Sequence, residues 1–381
     1  MVSMSGRTAK TLRAIFAGGG TGGHLYPALA IAQSLEGKHG AENCEFIFVG
    51  TKRGIEYRLR ETLGYPLELI DVRGFVRKIH WRNALFPFVL ARALWKSGQL
   101  LRSFKPHLVV GTGGYVSGPI VSRAVAGQIP TAIQEQNSYP GFTTRRLAGK
   151  VNRVYLGFDD ARNHLSEHVS ALTTGNPVRT AIGAVERIEG VRHFGLDPQR
   201  KTILILGGSQ GAQSINNAVL TGISSLSEKN QILWQTGRSH YDSILQRIGS
   251  IPHVRLFAFS EHIELAYAAA DIAITRAGAL TIAELIASQT PSILVPYPFA
   301  TANHQMMNAR SVQKRGGALI IANDELADNN IVEEAQQVLV SGRAKKMHEI
   351  LSDWRAANQQ SASDMIAEDL LDLVNRKEQL L

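Results

Sequence analysis

LRAIFAGGGTGGH, residues 12–24, is a short apolar run, then a glycine-rich turn, then the start of a helical pattern. TILILGGSQGAQS, residues 202–214, repeats that order. A strand that feeds a helix through consecutive glycines opens a doubly wound parallel unit. Two such openings predict two α/β units in tandem rather than one long sheet. Outward from them, candidate strands fall at 45–49, 66–71, 107–110, 131–135 and 153–156 in the first half. In the second half they fall at 231–235, 253–256, 271–275, 291–295 and 318–321. Helical patterns at 27–36, 117–126, 211–221, 279–288 and 302–315 fill the gaps. This alternation implies parallel sheets covered by helices on both faces. TTGNPVRT at 173–180 supplies the Gly, Asn and Pro of a domain boundary. The expected division is 1–175, 176–345, and C-terminal helices 346–381 that could return to the first domain. Ligands of such sheets sit beyond the carboxyl ends of the strands. Two domains with facing carboxyl edges would enclose a cleft.

The chain has 381 residues, 44% of them hydrophobic, which is enough for two separate cores. One cysteine, Cys44, excludes an internal disulfide framework and a cysteine-based zinc cluster. The longest apolar runs are broken by Gly or Arg well short of a membrane span. The apolar stretch LRAIFA is too short for a signal peptide. These features predict a cytoplasmic globular protein.

The formal net charge is +9, and it is uneven: +11 over residues 1–175 and −2 over the rest. No acidic residue lies between Asp71 and Glu135, a gap that holds nine Lys and Arg. A basic half predicts an anionic partner. Residues 79–95, IHWRNALFPFVLARALW, interleave Ile79, Trp81, Leu85, Phe86 and Phe88 with Arg82 and Arg92. Large apolar groups rimmed by cations suit an anionic lipid surface better than nucleic acid. The same residues could also be plain core. Pro87 predicts a short segment before it and a helix from about Phe88 to Arg102.

The first glycine loop contains G-x-G-x-x-G at 18, 20 and 23. A dinucleotide site also wants an acid at the end of the second strand. That strand, EFIFVGT, ends in Gly50 and Thr51, with Glu45 at the wrong end. The loop therefore reads as a place where backbone N–H groups approach an anion at a helix start. His24 follows it, as a general base or as a residue that packs the helix start. The second loop, Gly207 to Gly211, lacks the Gly-Lys-Ser/Thr ending of an ATPase loop. Its N–H groups, Ser209 and nearby Arg179 could meet a diphosphate. In the third, Arg276-Ala277-Gly278-Ala279-Leu280-Thr281 leads to Glu284, a carboxylate that could accept from a ribose diol or merely favour a helix start. Asn303-His304-Gln305 and Asn308 offer amides to sugar hydroxyls. Gly113-Gly114-Tyr115 and Gln134-Glu135-Gln136-Asn137 follow first-half strands and should face the same ligands. No H-E-x-x-H, C-x-x-C or EF-hand pattern occurs, so no dedicated metal and no cofactor are expected.

GGGTGGH at 18–24, GGYVSGP at 113–119, QEQN at 134–137, GNPVRT at 175–180, GGSQGA at 207–212, AGALT-x-x-E at 277–284 and NHQ-x-x-NA at 303–309 closely resemble one family. It is the bacterial undecaprenyl-diphospho-muramoylpentapeptide N-acetylglucosaminyltransferases, which make lipid II of peptidoglycan. The resemblance implies a type B glycosyltransferase fold, two Rossmann-like domains facing across a cleft. The N-terminal domain would take the lipid-linked acceptor, lipid I, with Tyr115 on the acceptor side. The C-terminal domain would take UDP-N-acetylglucosamine. Donor contacts carried over by matching position are Thr21, Gly22, Gly23, Asn137, Arg179, Ser209, Gln210, Ser260 through its backbone, Ala279, Leu280, Thr281, Glu284 at the ribose and Gln305 at the sugar. Gln134 stands where many relatives have His. The 73–105 segment falls where this family is thought to touch the membrane. That implies a peripheral location on the cytoplasmic face of the bacterial inner membrane, with cell-wall or division machinery as further candidate partners and no nucleic acid. The chemistry would be one inverting displacement, with His24 as base and Glu135 as fallback. Loop amides and Arg would balance the leaving diphosphate in place of a metal. The rivals are a UDP-N-acetylglucosamine 2-epimerase of similar fold, a nicotinamide oxidoreductase and a basic nucleic-acid binder.

Overall fold

The computed structural model describes residues 10–72, 86–208, 211–327, 331–357 and 360–379. The chain divides into two compact units, Met1–Pro177 with Gln360–Leu381, and Val178–Gln359.

The first unit runs β1 (Leu12–Gly18), α1 (Gly22–His39), β2 (Cys44–Gly50), α2 (Ile55–Arg58), β3 (Leu67–Leu69), α3 (Phe86–Phe104), β4 (Leu108–Gly113), α4 (Ser117–Ala126), β5 (Thr131–Glu135), α5 (Phe142–Leu147), β6 (Arg153–Leu156) and β7 (Ala171–Thr173). The second unit runs α6 (Arg187–His193), β8 (Thr202–Leu206), α7 (Gln213–Lys229), β9 (Gln231–Gln235), α8 (Tyr241–Ile248), β10 (Val254–Phe257), α9 (Ile263–Ala269), β11 (Ile272–Thr275), α10 (Ala279–Ala287), β12 (Ser292–Leu294), α11 (His304–Lys314), β13 (Ala318–Ile320), α12 (Ile331–Val340) and α13 (Arg343–Ala357). The last helix, α14 (Ala362–Glu378), returns to the first unit.

Both sheets are parallel throughout their described pairings. Their orders are β3-β2-β1-β4-β5-β6-β7 and β10-β9-β8-β11-β12-β13. Each order reverses beside its first strand, which puts a switch point at the carboxyl ends of β1 and β4, and of β8 and β11. Strands covered on both faces should be apolar throughout. TILIL of β8 is buried at every position. Trp234, Tyr155, Tyr267, Phe16 and Phe48 are the largest of the fully buried side chains.

The second unit extends to 359, beyond the expected 345, because α13 packs on α10 of its own sheet. Only α14 crosses back, against α1. Its apolar stripe, Ile366, Ala367, Leu370 and Val374, joins the first core. Arg153 and Tyr155 hold Asp369 at 2.9 and 2.8 Å, and Lys38 pairs with Glu368 at 2.7 Å. β7 lacks an apolar run long enough to be read from sequence. α3 is described from Phe86, so Pro87 lies inside the described helix, and the segment expected before it lies outside the described residues.

Candidate active site

In the first unit, β1 and β4 end side by side with Gly18 paired to Gly113. Thr112 Oγ1 donates to the carbonyl of His24 at 2.8 Å, tying α1 to β4. His24 is half-buried in the first turn of α1. Its Nδ1 lies 3.1 Å from the carbonyl oxygen of Gly19 and 3.3 Å from Thr21 Oγ1. A carbonyl oxygen only accepts, so Nδ1 carries the proton, and when the ring is neutral its acceptor lone pair is the one at Nε2. The ring lies over Gly113, where a Cβ would come within 2.6 Å of it. Gly113 also has φ +107°, a conformation L side chains rarely adopt.

Glu135, at the end of β5, is 3% exposed. Its Oε1 accepts from the Asn137 N–H and Nδ2 at 3.1 and 3.2 Å. Its Oε2 accepts from the Gly141 N–H and Thr144 Oγ1 at 2.8 and 2.6 Å. Four donors on two oxygens suit a residue that sets the Asn137 loop, so the fallback base role loses ground to His24. Gln134 and Gln136, expected to face a ligand, are buried. Gln134 Nε2 donates to Asn176 Oδ1 at 2.8 Å, and Gln136 Nε2 to the Thr112 carbonyl at 2.6 Å. They knit β4, β5 and the start of the linker. Tyr115 is 64% exposed on the adjoining loop.

Sequence reasoning missed Glu56. It is fully buried, and its oxygens accept from the backbone N–H of Gly20 and of Thr51, both at 2.8 Å. The Gly20 N–H of the first glycine loop therefore meets a carboxylate of the chain's own. The signal was present in GTKRGIE at 50–56, a carboxylate after two glycines at a strand end.

In the second unit, Glu284 sits one turn into α10 and is almost buried. Tyr267 Oη donates to its Oε2 at 3.0 Å, and Arg179 Nη2 lies 3.7 Å from its Oε1. Burial pushes the Glu284 carboxyl above the usual carboxylate range, and Arg179 and Tyr267 oppose that rise. Arg179, expected beside the second glycine loop, thus has its guanidinium at Glu284. Tyr267 has no signal apart from the apolar face of α9. Gln305 Oε1 accepts from the Tyr297 N–H at 2.9 Å, which fixes its amide plane. Ser260 donates its backbone N–H to Gln235 Oε1 at 3.0 Å, so contact with a base would fall to its carbonyl. Ala279, Leu280 and Thr281 form the first turn of α10.

Arg276 braces this edge. It donates to the Val295 carbonyl, Asn323 Oδ1 and Ser214 Oγ at 3.1, 2.8 and 2.7 Å. Burial lowers its pKa. Ser209 and Gln210 lie outside the described residues, as do Ile79, Trp81, Arg82 and Leu85. Phe86 and Phe88 open α3, where Phe88 and Trp95 are 72% and 59% exposed. Among the described residues, no group of three or more His, Cys, Asp or Glu could hold a metal ion. None of the described helices is long and apolar enough to cross a membrane.

Two Rossmann-like units, each with its polar residues at a switch point, define a two-domain nucleotide-sugar enzyme class. The glycosyltransferase family 28 N-terminal domain matches residues 14–156, and its C-terminal domain matches 202–368. A UDP-N-acetylglucosamine–N-acetylmuramyl-(pentapeptide) pyrophosphoryl-undecaprenol N-acetylglucosamine transferase of Halothermothrix orenii is 40% identical, over 88% of this chain and 93% of that protein. One of the same name from Prosthecochloris aestuarii is 42% identical, over 82% and 86%. The crystal structure of Acinetobacter baumannii MurG is 26% identical with a TM-score of 0.71, covering 95% of this chain and 99% of that one. The chain belongs to glycosyltransferase family 28, and within it to these N-acetylglucosamine transferases.

Proposed function

We infer that the chain transfers N-acetylglucosamine from UDP-N-acetylglucosamine to the 4-hydroxyl of the N-acetylmuramoyl unit of undecaprenyl-diphospho-muramoylpentapeptide. The product is lipid II, the unit from which peptidoglycan is built. The second unit binds the donor. Glu284, with Arg179 beside it, takes the ribose hydroxyls, Gln305 the sugar, and the loop at 207–211 the diphosphate. The first unit binds the acceptor beside Tyr115 and supplies the base.

The observation that supports this mechanism is the Nδ1 contact of His24 with the Gly19 carbonyl, 3.1 Å. It selects the tautomer whose Nε2 takes a proton. The acceptor hydroxyl loses its proton to Nε2 as its oxygen attacks the anomeric carbon. UDP departs from the opposite face, so an α-linked donor gives a β-1,4 product. Backbone N–H groups balance the leaving charge.

The membrane face belongs to the same proposal. Phe88 and Trp95 stand on one exposed stripe of α3 with Arg92, in the basic gap of the sequence. This stripe, together with the basic and apolar sequence that precedes it, rests on anionic lipid at the cytoplasmic face of the inner membrane.

Transfer of labelled N-acetylglucosamine to a lipid I analogue tests the reading, with and without EDTA, for the native chain and His24→Ala. Native transfer should survive EDTA. The variant should lose about 10²- to 10⁴-fold in kcat. Near-normal turnover by folded His24→Ala would remove it as the base. No transfer from native protein that still binds the donor would mean a different acceptor.

A further inference from the structure

The carboxylate of Glu56 sits where three side chains have been left out. A Cβ on Gly19 would lie 2.4 Å from its Oε1, one on Gly50 2.3 Å from its Cγ, and one on Gly54 2.1 Å from both oxygens. Gly54 has φ −80° and ψ 169°, extended backbone that alanine adopts freely. Its lack of a side chain therefore answers to space and not to conformation. The carboxylate that fills the space accepts from Gly20 N–H, Thr51 N–H and Thr51 Oγ1. Gly20 adjoins Gly19, whose carbonyl meets His24 Nδ1. Gly20 itself has φ +94°, which glycine adopts freely but does not enforce, so the orientation of the peptide between them is set by its partners.

We propose that Glu56 is a positioning residue for His24, a buried anion that fixes the Gly19–Gly20 peptide so that the Gly19 carbonyl selects the Nδ1–H tautomer. One consequence is that the first glycine loop spends its Gly20 donor within the chain, leaving that donor unavailable to a substrate phosphate. The effect on turnover rests on the reading of His24 as base. The effect on the tautomer does not.

Two variants test it. Glu56→Gln keeps the shape and removes the charge and one acceptor. Gly54→Ala keeps the charge and drives the carboxylate out of its place. Histidine labelled with ¹⁵N reports the tautomer through long-range proton–nitrogen spectra, the His24 signal being assigned by its absence from His24→Asn. The native chain should show Nδ1–H at His24, and both variants a mixture with Nε2–H. Turnover with both substrates saturating should fall tenfold or more, while the dissociation constant for UDP-N-acetylglucosamine, which the second unit binds, stays within twofold and an unchanged rate of Cys44 labelling reports that the first unit is folded. A changed tautomer with unchanged turnover would uphold the positioning role and remove His24 as the base. An unchanged tautomer in both folded variants would overturn the proposal, whatever happens to turnover.

Discussion

At Glu284 one carboxylate is held by two partners of different kinds, the Tyr267 hydroxyl at 3.0 Å and the Arg179 guanidinium at 3.7 Å. Burial alone would favour its neutral form, which accepts poorly from a diol, and the two partners work against that. Tyr267→Phe removes a donor without opening a cavity. It should weaken UDP binding about tenfold, the worth of one neutral-to-charged hydrogen bond at the low end. It should weaken 2′-deoxy-UDP binding less, so that the ratio between the two ligands falls. Calorimetric titration of both ligands checks this, and an unchanged ratio would place the ribose elsewhere. The same residue shows the limit of sequence reading. Glu284 could be named because a carboxylate just after a glycine turn is chemically conspicuous. Tyr267 could not, because a tyrosine on an apolar helix face looks like core until its hydroxyl is seen to reach across. Glu135 is the opposite case: it is conspicuous at a strand end with polar neighbours, and what the sequence does not show is that each of its oxygens accepts from one backbone N–H and one side chain.

Among the elements, α14 is anchored by polar contacts as well as by its apolar stripe. Ser361 caps it by accepting from the Asp364 N–H at 3.1 Å. Ser34 Oγ and Ser361 Oγ both donate to the Asp364 carboxylate. Burial disfavours charge on that carboxylate, but the two hydroxyls and Lys38 overcome it and hold its pKa below the usual value. A depressed carboxylate pKa adds stability that is present above the unfolded value, about 3.9, and is lost as pH falls through the folded one. Docking of α14 should therefore loosen below about pH 4. Asp364→Asn should lack this contribution at neutral pH and show a flatter response to acid. The sole cysteine, Cys44, packs against the same core and gives the readout. Its labelling by 4,4′-dithiodipyridine in mild urea should accelerate in acid for the native chain, and earlier at neutral pH for the variant. Equal profiles would remove the Asp364 contribution. The strands were legible because fully buried parallel strands are nearly all apolar. The boundary of the last helices was not, since α13 and α14 have similar patterns and differ only in which sheet receives them.

Over the whole molecule the charge asymmetry, +11 before residue 176 and −2 after, is the property that acts at a distance, since charges of one sign add their fields. Binding to vesicles of phosphatidylglycerol should exceed binding to phosphatidylcholine and weaken with salt. Phe88→Ser with Trp95→Ser should reduce it further while leaving UDP-N-acetylglucosamine affinity unchanged, as a sedimentation assay can record. Equal binding to both lipids would remove the anionic-surface proposal. The division of the fold was legible because each unit announces itself with its own glycine turn. The return of α14 had a weaker signal, a helical tail with no strand left to follow it.

That return has a consequence in time. On the ribosome, the first unit emerges with the face of α1 that α14 covers still bare. It must wait while Val178–Gln359 is made, roughly ten to forty seconds at bacterial elongation speed. The first unit is therefore born first and finished last, and a chain that stalls or is clipped before Ile366, Leu370 and Val374 leaves that unit open to chaperones and proteases even when the second is complete.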